Sequence, residues 1–224
     1  MHSMKIPKVL FLETSNSCTR HCKFCYWGYH TRPDLEIMDL DLYRRILSDV
    51  KSYTDTLIAI NLFLINEPTL DPLLLDRVRL VREEFGRNQL IRIFANGDKL
   101  DPEVHKTLNR ENVFLFIDKT KCLPVPVNSQ AGFLRGKISE ELQPPMLDGL
   151  CLKVRDTIVI RHDGSMIFCC VDMTNASRYA NANDGNVVEL WNTHTTDVGE
   201  SLSNRKRHGI VPCELCEMDT PVII

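Results

Sequence analysis

From Val9 to about Ile117, apolar runs alternate with segments whose apolar positions recur every three or four residues. Val9 to Glu13 (VLFLE), Leu57 to Ile65, Leu90 to Ala95 (LIRIFA) and Val113 to Ile117 (VFLFI) are near-continuous apolar runs, the pattern of buried parallel strands. Between the first two, Leu40, Tyr43, Ile46, Leu47 and Val50 fall on one helical face. Asp71-Pro72 and Asp101-Pro102 each read as an N-cap followed by proline at the first helical position. The second helix then buries Leu74, Val78, Val81 and Phe85, and a shorter third one Val104 and Leu108. This strand–helix repeat predicts a right-handed parallel α/β sheet. A complete eight-unit barrel takes about 250 residues. With four strands visible, the expected form is a partial (βα) barrel. Pro124 to Pro145 is rich in Pro, Gly and Ser with weak periodicity, and no strand is assigned there.

The pattern changes at Cys151. Thr157 to Arg161 and Met166 to Cys169 flank Asp163-Gly164 and read as a β-hairpin. Asn175 to Asn186 is small and polar, hence loop-like. Val187 to Trp191 and Glu200 to Arg207 are expected as short helices before Pro212. The expected organisation is therefore a partial barrel over 1–150 and a small hairpin/helix unit over 151–224.

Composition narrows the function. The 27 basic and 30 acidic side chains give a net charge of −3, without the basic surplus of a nucleic-acid binder or a polybasic membrane footprint. Arg205, Lys206 and Arg207 read as a solvated helix face. No segment approaches the ~20 apolar residues of a membrane span, and MHSMKIPK has no apolar signal core. Neither nucleic acid nor membrane is an expected partner. Nine cysteines are the outlier. An odd number without a secretion signal argues against a disulfide framework, and two spaced groups point to metal ligation.

Cys18, Cys22 and Cys25 form C-x3-C-x2-C directly after the first strand, at the strand end where parallel α/β folds carry their chemistry. Three thiolates on one loop hold three irons of a four-iron cubane and leave the fourth open to a reactant. Zinc is the alternative, with His21 or His30 as fourth ligand. With Phe24 before the third cysteine, SCTRHCKFC resembles the radical S-adenosylmethionine (SAM) superfamily. The resemblance implies a 4Fe-4S cluster on these cysteines whose open iron chelates SAM. It further implies reductive cleavage of SAM to a 5′-deoxyadenosyl radical that abstracts a substrate hydrogen. Phe24 is placed with the cofactor contacts.

Later strand ends extend the resemblance. Ile65-Asn66-Glu67-Pro68 stands where the family carries GGEP, without its glycines, and implies that Asn66 and Glu67 meet the ammonium of SAM. Ala95-Asn96-Gly97 is similar to the family's TNG and makes Asn96 a candidate cofactor contact; an ordinary Asn-Gly turn is the alternative. Asp118, closing the fourth strand, is the candidate for the SAM ribose. Trp27 and Tyr29 either roof the cluster or pack its loop.

Cys151, twelve residues, Gly164, four residues, Cys169, and then Cys213-x2-Cys216 supply four more thiolates, enough for a second four-iron cluster or a zinc site. The spacing resembles the Twitch domain, the shortened SPASM auxiliary-cluster domain of radical SAM enzymes, and implies one auxiliary 4Fe-4S cluster. Cys122 and Cys170 are buried apolar cysteines or hydrogen-atom donors to a substrate radical.

The favoured expectation is a radical SAM oxidoreductase carrying out a two-electron oxidation of a small polar molecule, polyol- or amino-sugar-like, in natural-product biosynthesis. Lys119, Lys121 and Arg135 are positional candidates for the base. A ribosomal-peptide maturase or epimerase is the first alternative, and a non-catalytic metal-binding protein the second. Cys18 stands close to the start of the chain, which favours a small molecule over a leader-bound peptide. Oxygen-labile cluster thiolates suit a reducing cytoplasm, and the resemblance implies flavodoxin or ferredoxin as electron donor.

Overall fold

The computed structural model describes residues 4–55, 57–118 and 151–216. β1 (Val9–Leu12), α1 (Leu40–Lys51), β2 (Ala59–Asn61), α2 (Leu74–Phe85), β3 (Ile91–Ala95), α3 (Pro102–Arg110) and β4 (Phe114–Ile117) follow the expected alternation. After them come α4 (Lys153–Asp156), β5 (Thr157–Ile160), β6 (Ser165–Ile167), β7 (Arg178–Asn181) and α5 (Val187–Ser203). One seven-stranded sheet runs in the order β4-β3-β2-β1-β5-β6-β7. The pairings from β4 through β1 to β5 are parallel, and β5–β6 and β6–β7 antiparallel. This is the mixed α/β, partial-barrel architecture that the periodicity predicts.

β5 is the unexpected neighbour. Its four residues are all buried, and it lies parallel to β1 from Val9↔Thr157 to Leu12↔Ile160. The hairpin therefore extends the same sheet, which is continuous across the 150/151 boundary. Its tight turn is as expected: Gly164 has φ +81°, and a Cβ there would stand 2.7 Å from Asn181 Oδ1.

Alternate strand residues Leu10, Leu12, Ile60, Ile91, Ile93, Ile158 and Ile160 face α1, α2, α3 and α5 in one core with Tyr43, Val78, Leu108 and Trp191. On the other face Phe11, Phe63, Phe94 and Phe116 form a ladder with ring centroids 4.5–5.6 Å apart.

Several boundaries differ from expectation. Asp71 does not cap a helix at Pro72: its Oδ1 accepts the Leu73 N–H, its Oδ2 accepts Arg77 Nε at 2.6 Å, and α2 starts at Leu74. That ion pair is wholly buried; Arg77 also donates to the Met38 carbonyl and lies over the Tyr43 ring. Asp101 does cap α3, accepting from Glu103 and Val104. Of Leu57 to Ile65 only Ala59–Asn61 is strand. The polar stretch before Asn186 contains β7. α5 is a single 17-residue helix where two short ones were expected. Thr195 and Thr196 are weak helix formers, but their hydroxyls donate to the Trp191 and Asn192 carbonyls at 2.6 and 2.7 Å, and Trp191 is anchored to the Val154 carbonyl.

Candidate active site

The chain leaves β1 at Glu13 and forms the first cysteine loop at the C-terminal edge of the sheet. Arg20, inside C-x3-C, fastens this loop to two strand ends. It forms a two-nitrogen contact with Asp98 (2.6 and 2.8 Å) and donates to the carbonyls of Asn96 and Asp118, both at 3.0 Å. Trp27 is buried and donates from Nε1 to the Ile65 carbonyl at 2.7 Å. Gly28 packs so tightly that a Cβ would meet the Cys22 carbonyl oxygen at 2.3 Å. Trp27, Ile65 and Met173 form an apolar cluster against which Phe24, Cys18 and Cys25 pack. Phe24 and Trp27 thus pack the loop. The Tyr29 hydroxyl donates to the Lys23 carbonyl, His21 Nδ1 pairs with the Trp27 carbonyl, and His30 stacks on Tyr26.

The motifs from β2 and β3 converge on this loop. Glu67, 2% exposed, accepts the Thr69 N–H and hydroxyl on Oε1 and the Asn96 N–H on Oε2 at 2.6 Å. Asn96 Nδ2 in turn lies 3.5 Å from Cys18 Sγ and 3.0 Å from Thr19 Oγ1. The Asn66 amide joins Ser15 Oγ to the Leu64 N–H. Asp118 donates its backbone N–H to the Ala95 carbonyl, holding the β4 end beside Asn96.

The thiol chemistry suits a bound cluster. Burial raises the Cys18 thiol and pushes Cys25 up to about 11, with the neighbouring Cys18 adding to the rise at Cys25. Without a positive centre these sulfurs keep their protons; a metal supplies the charge that replaces them. Among the described residues no three Cys, His, Asp or Glu side chains gather closely enough to hold one ion. A cubane asks for less, since each cysteine binds a different iron.

The second group is more enclosed. Cys151, Cys169, Cys213 and Cys216, each under 10% exposed, line one cavity with Lys153 and Arg207. Burial raises the Cys213 thiol, and Cys169, Cys151 and Cys216 raise it further. Four sulfurs around one cavity are the donor set of a four-iron cluster, in which each cysteine binds a different iron. Cys170 is half-buried and does not line that cavity; the hydrogen bond it shares with Cys169 favours thiolate at Cys170 and thiol at Cys169.

Tyr26 and Trp27, just past the first cysteine loop, open onto a cavity of about 520 Å³, within the range of small-molecule sites. Trp27 and Met173 line it from the two loops, and Arg32, Glu36, Arg161 and His162 supply charge. Arg32 Nε and one Nη are buried with no hydrogen-bond partner among the described residues. Glu13, wholly buried, binds Arg161 Nε at 2.9 Å and faces His162 Nδ1 at 3.4 Å; His162 Nε2 faces Glu36 at 3.5 Å. The sequence reading missed Glu13, Arg20, Arg32, Arg161 and His162. Glu13 and the Arg161-His162 pair carried the available signal, charge immediately after an apolar strand. Lys119, Lys121, Cys122 and Arg135 lie outside the described residues.

No family model matches the chain, and no curated protein matches it by sequence. Solved structures do match. BtrN in complex with AdoMet and 2-DOIA superposes with a TM-score of 0.79 at 18% identity, covering 96% of this chain and 95% of that one. Streptococcus suis SuiB bound to precursor peptide SuiA gives 0.62 at 12% identity, over 95% and 70%. Native anSMEcpe with bound AdoMet gives 0.58 at 14%, over 88% and 83%. The chain has the fold of these proteins.

Proposed function

We propose that this chain is a radical SAM oxidoreductase that oxidises a small polar substrate by two electrons. The observation that carries the reading is the convergence of three strand-end motifs. Cys18, Glu67 and Asn96 are linked by Glu67 Oε2–Asn96 N (2.6 Å) and Asn96 Nδ2–Cys18 Sγ (3.5 Å). The fold it shares with BtrN, solved in complex with AdoMet and 2-DOIA, supports the same reading.

Cys18, Cys22 and Cys25 would hold a 4Fe-4S cluster, and Cys151, Cys169, Cys213 and Cys216 an auxiliary one. When bound, the first cluster and SAM supply reductive cleavage and hydrogen-atom abstraction. The chain's residues do the rest. Asn96 orients the Cys18 sulfur, and Glu67 fixes Asn96. Arg20 locks the loop across the ends of β3 and β4. A polyol or amino sugar fits the cavity lined by Trp27 and Met173: the Arg32 N–H groups take its oxygens, and Glu36 and Asp163 take an ammonium. His162, between Glu13 and the exposed Glu36, relays a hydroxyl proton outward. The electron donor is a flavodoxin- or ferredoxin-like protein in a reducing cytoplasm. Among the described residues no helix is long and apolar enough to cross a membrane.

SuiB with its precursor peptide and anSMEcpe with a bound peptide favour a second reading, a peptide substrate. Iron and sulfide per chain after anaerobic reconstitution, with SAM cleavage under dithionite, test the proposal. Wild type should hold about eight irons and form 5′-deoxyadenosine. The Cys18→Ala/Cys22→Ala/Cys25→Ala chain should do neither. Zinc throughout and no cleavage would leave a metal-stabilised binding protein. Net oxidation of a polyol or amino sugar, against modification of a peptide, separates the two enzyme readings.

A further inference from the structure

The second cysteine group encloses two cations that a purely structural site does not require. Lys153 opens α4, two residues after Cys151, and shares the cavity with Cys151, Cys169, Cys213 and Cys216. Arg207 enters from the other side, 7% exposed, and donates to the Cys216 carbonyl at 2.7 Å. The remaining wall includes Val154 and Leu202, both 1% exposed. Charge–charge effects in such a wall are strong because little water screens them.

We propose that Lys153 and Arg207 raise the reduction potential of a cluster held by Cys151, Cys169, Cys213 and Cys216, fitting it to accept an electron. The inference rests on the auxiliary-cluster reading above. Four thiolates around a four-iron core give a net charge of −2 when oxidised and −3 when reduced. Adding the third charge inside an apolar wall is costly unless cations stand beside it. Net charge, hydrogen bonding and burial are the protein's levers on such a potential. The electron count fits a dehydrogenation. A cluster held there would supply an acceptor for the second electron of the oxidation, the hydrogen atom would leave through the chemistry that SAM supplies at the first cysteine group, and His162 would take the hydroxyl proton.

The test is a redox titration of the second cluster by electron paramagnetic resonance. It is made in the reconstituted full-length Cys18→Ala/Cys22→Ala/Cys25→Ala chain, where this cluster stands alone. Lys153→Met should lower the reduced-to-oxidised ratio at fixed poise at least tenfold, about 59 mV for a one-electron couple. Arg207→Met should shift it in the same direction, and Lys153→Arg should restore it. An unchanged midpoint in Lys153→Met with four irons still bound would overturn the inference, as would zinc in the wild-type site. If Lys153→Met fails to hold iron, Arg207→Met decides. Loss of iron from both, unrescued by Lys153→Arg, means a structural role. Failure of the wider enzyme reading would show separately, as absent SAM cleavage in wild type.

Discussion

The two cysteine groups are built to opposite plans. Cys18, Cys22 and Cys25 sit half-exposed on a loop at the sheet edge, crossed by side-chain hydrogen bonds from Asn96, Thr19 and Arg20. Cys151, Cys169, Cys213 and Cys216 are buried, come from scattered positions, and meet Val154 and Leu202 with two cations. In the first arrangement the thiols are part-exposed and polar neighbours reach them, Asn96 Nδ2 lying 3.5 Å from Cys18 Sγ. The second closes its ligand set and leaves charge as its variable. Under the proposed function, the first group would serve bond-making chemistry and the second would move only electrons.

The largest contrast lies in the ligands. Cys22→Ala should abolish SAM cleavage and remove about four irons, whereas Cys213→Ala should remove a similar number and leave cleavage standing. Equal loss of cleavage in both would break the division. Asp71→Asn supplies the global reference: it strands the buried Arg77 and should cost about 3–5 kcal/mol of unfolding free energy, lowering retention at both groups alike. Gly28→Ala is local. Its Cβ meets the Cys22 carbonyl, an overpacking worth about 1–3 kcal/mol that should empty the first group and spare the second. Gly199→Ala, beside the second group in α5, finds only ordinary contacts at 3.6 Å. It should leave both groups loaded and raise helix stability by up to about 1 kcal/mol. Iron counts and denaturant melts of the five variants separate these cases.

The same contrast explains what the sequence could disclose. β1 to β4 and the three helices among them follow from apolar period alone. The gathering of Glu67 and Asn96 at the first cysteine loop is legible because the three cysteines are close in sequence and each of the two polar residues follows a strand. β5 was legible as a strand but not as the neighbour of β1, because pairing across about 150 residues has no local signature. Lys153 and Arg207 stand beside the cysteines in space, while the basic run containing Arg207 reads as a solvated helix face and Lys153 carries no pattern that singles it out. Glu13 and His162 are 149 positions apart in the chain and meet only through the β1–β5 register.

That register makes the smallest prediction. Burial lowers the His162 pKa, but the hydrogen bond and charge of Glu13, with Asp163, overcome both burial and the opposing Arg161, so the value rises above the ordinary 6.5. Glu36 adds a further carboxylate at Nε2. A histidine raised in the folded state contributes stability that is complete below its unfolded pKa and fades as pH climbs through the folded one. The wild-type chain should therefore lose stability between pH 6.5 and mildly alkaline pH relative to His162→Gln, which lacks the group. Denaturant midpoints of the two chains at pH 6, 7 and 8 should converge as pH rises. Cysteines shared by both chains titrate equally and cancel in the difference. Parallel midpoints across that range would mean that Glu13 serves Arg161 alone, and that the proton path from the cavity does not pass through His162.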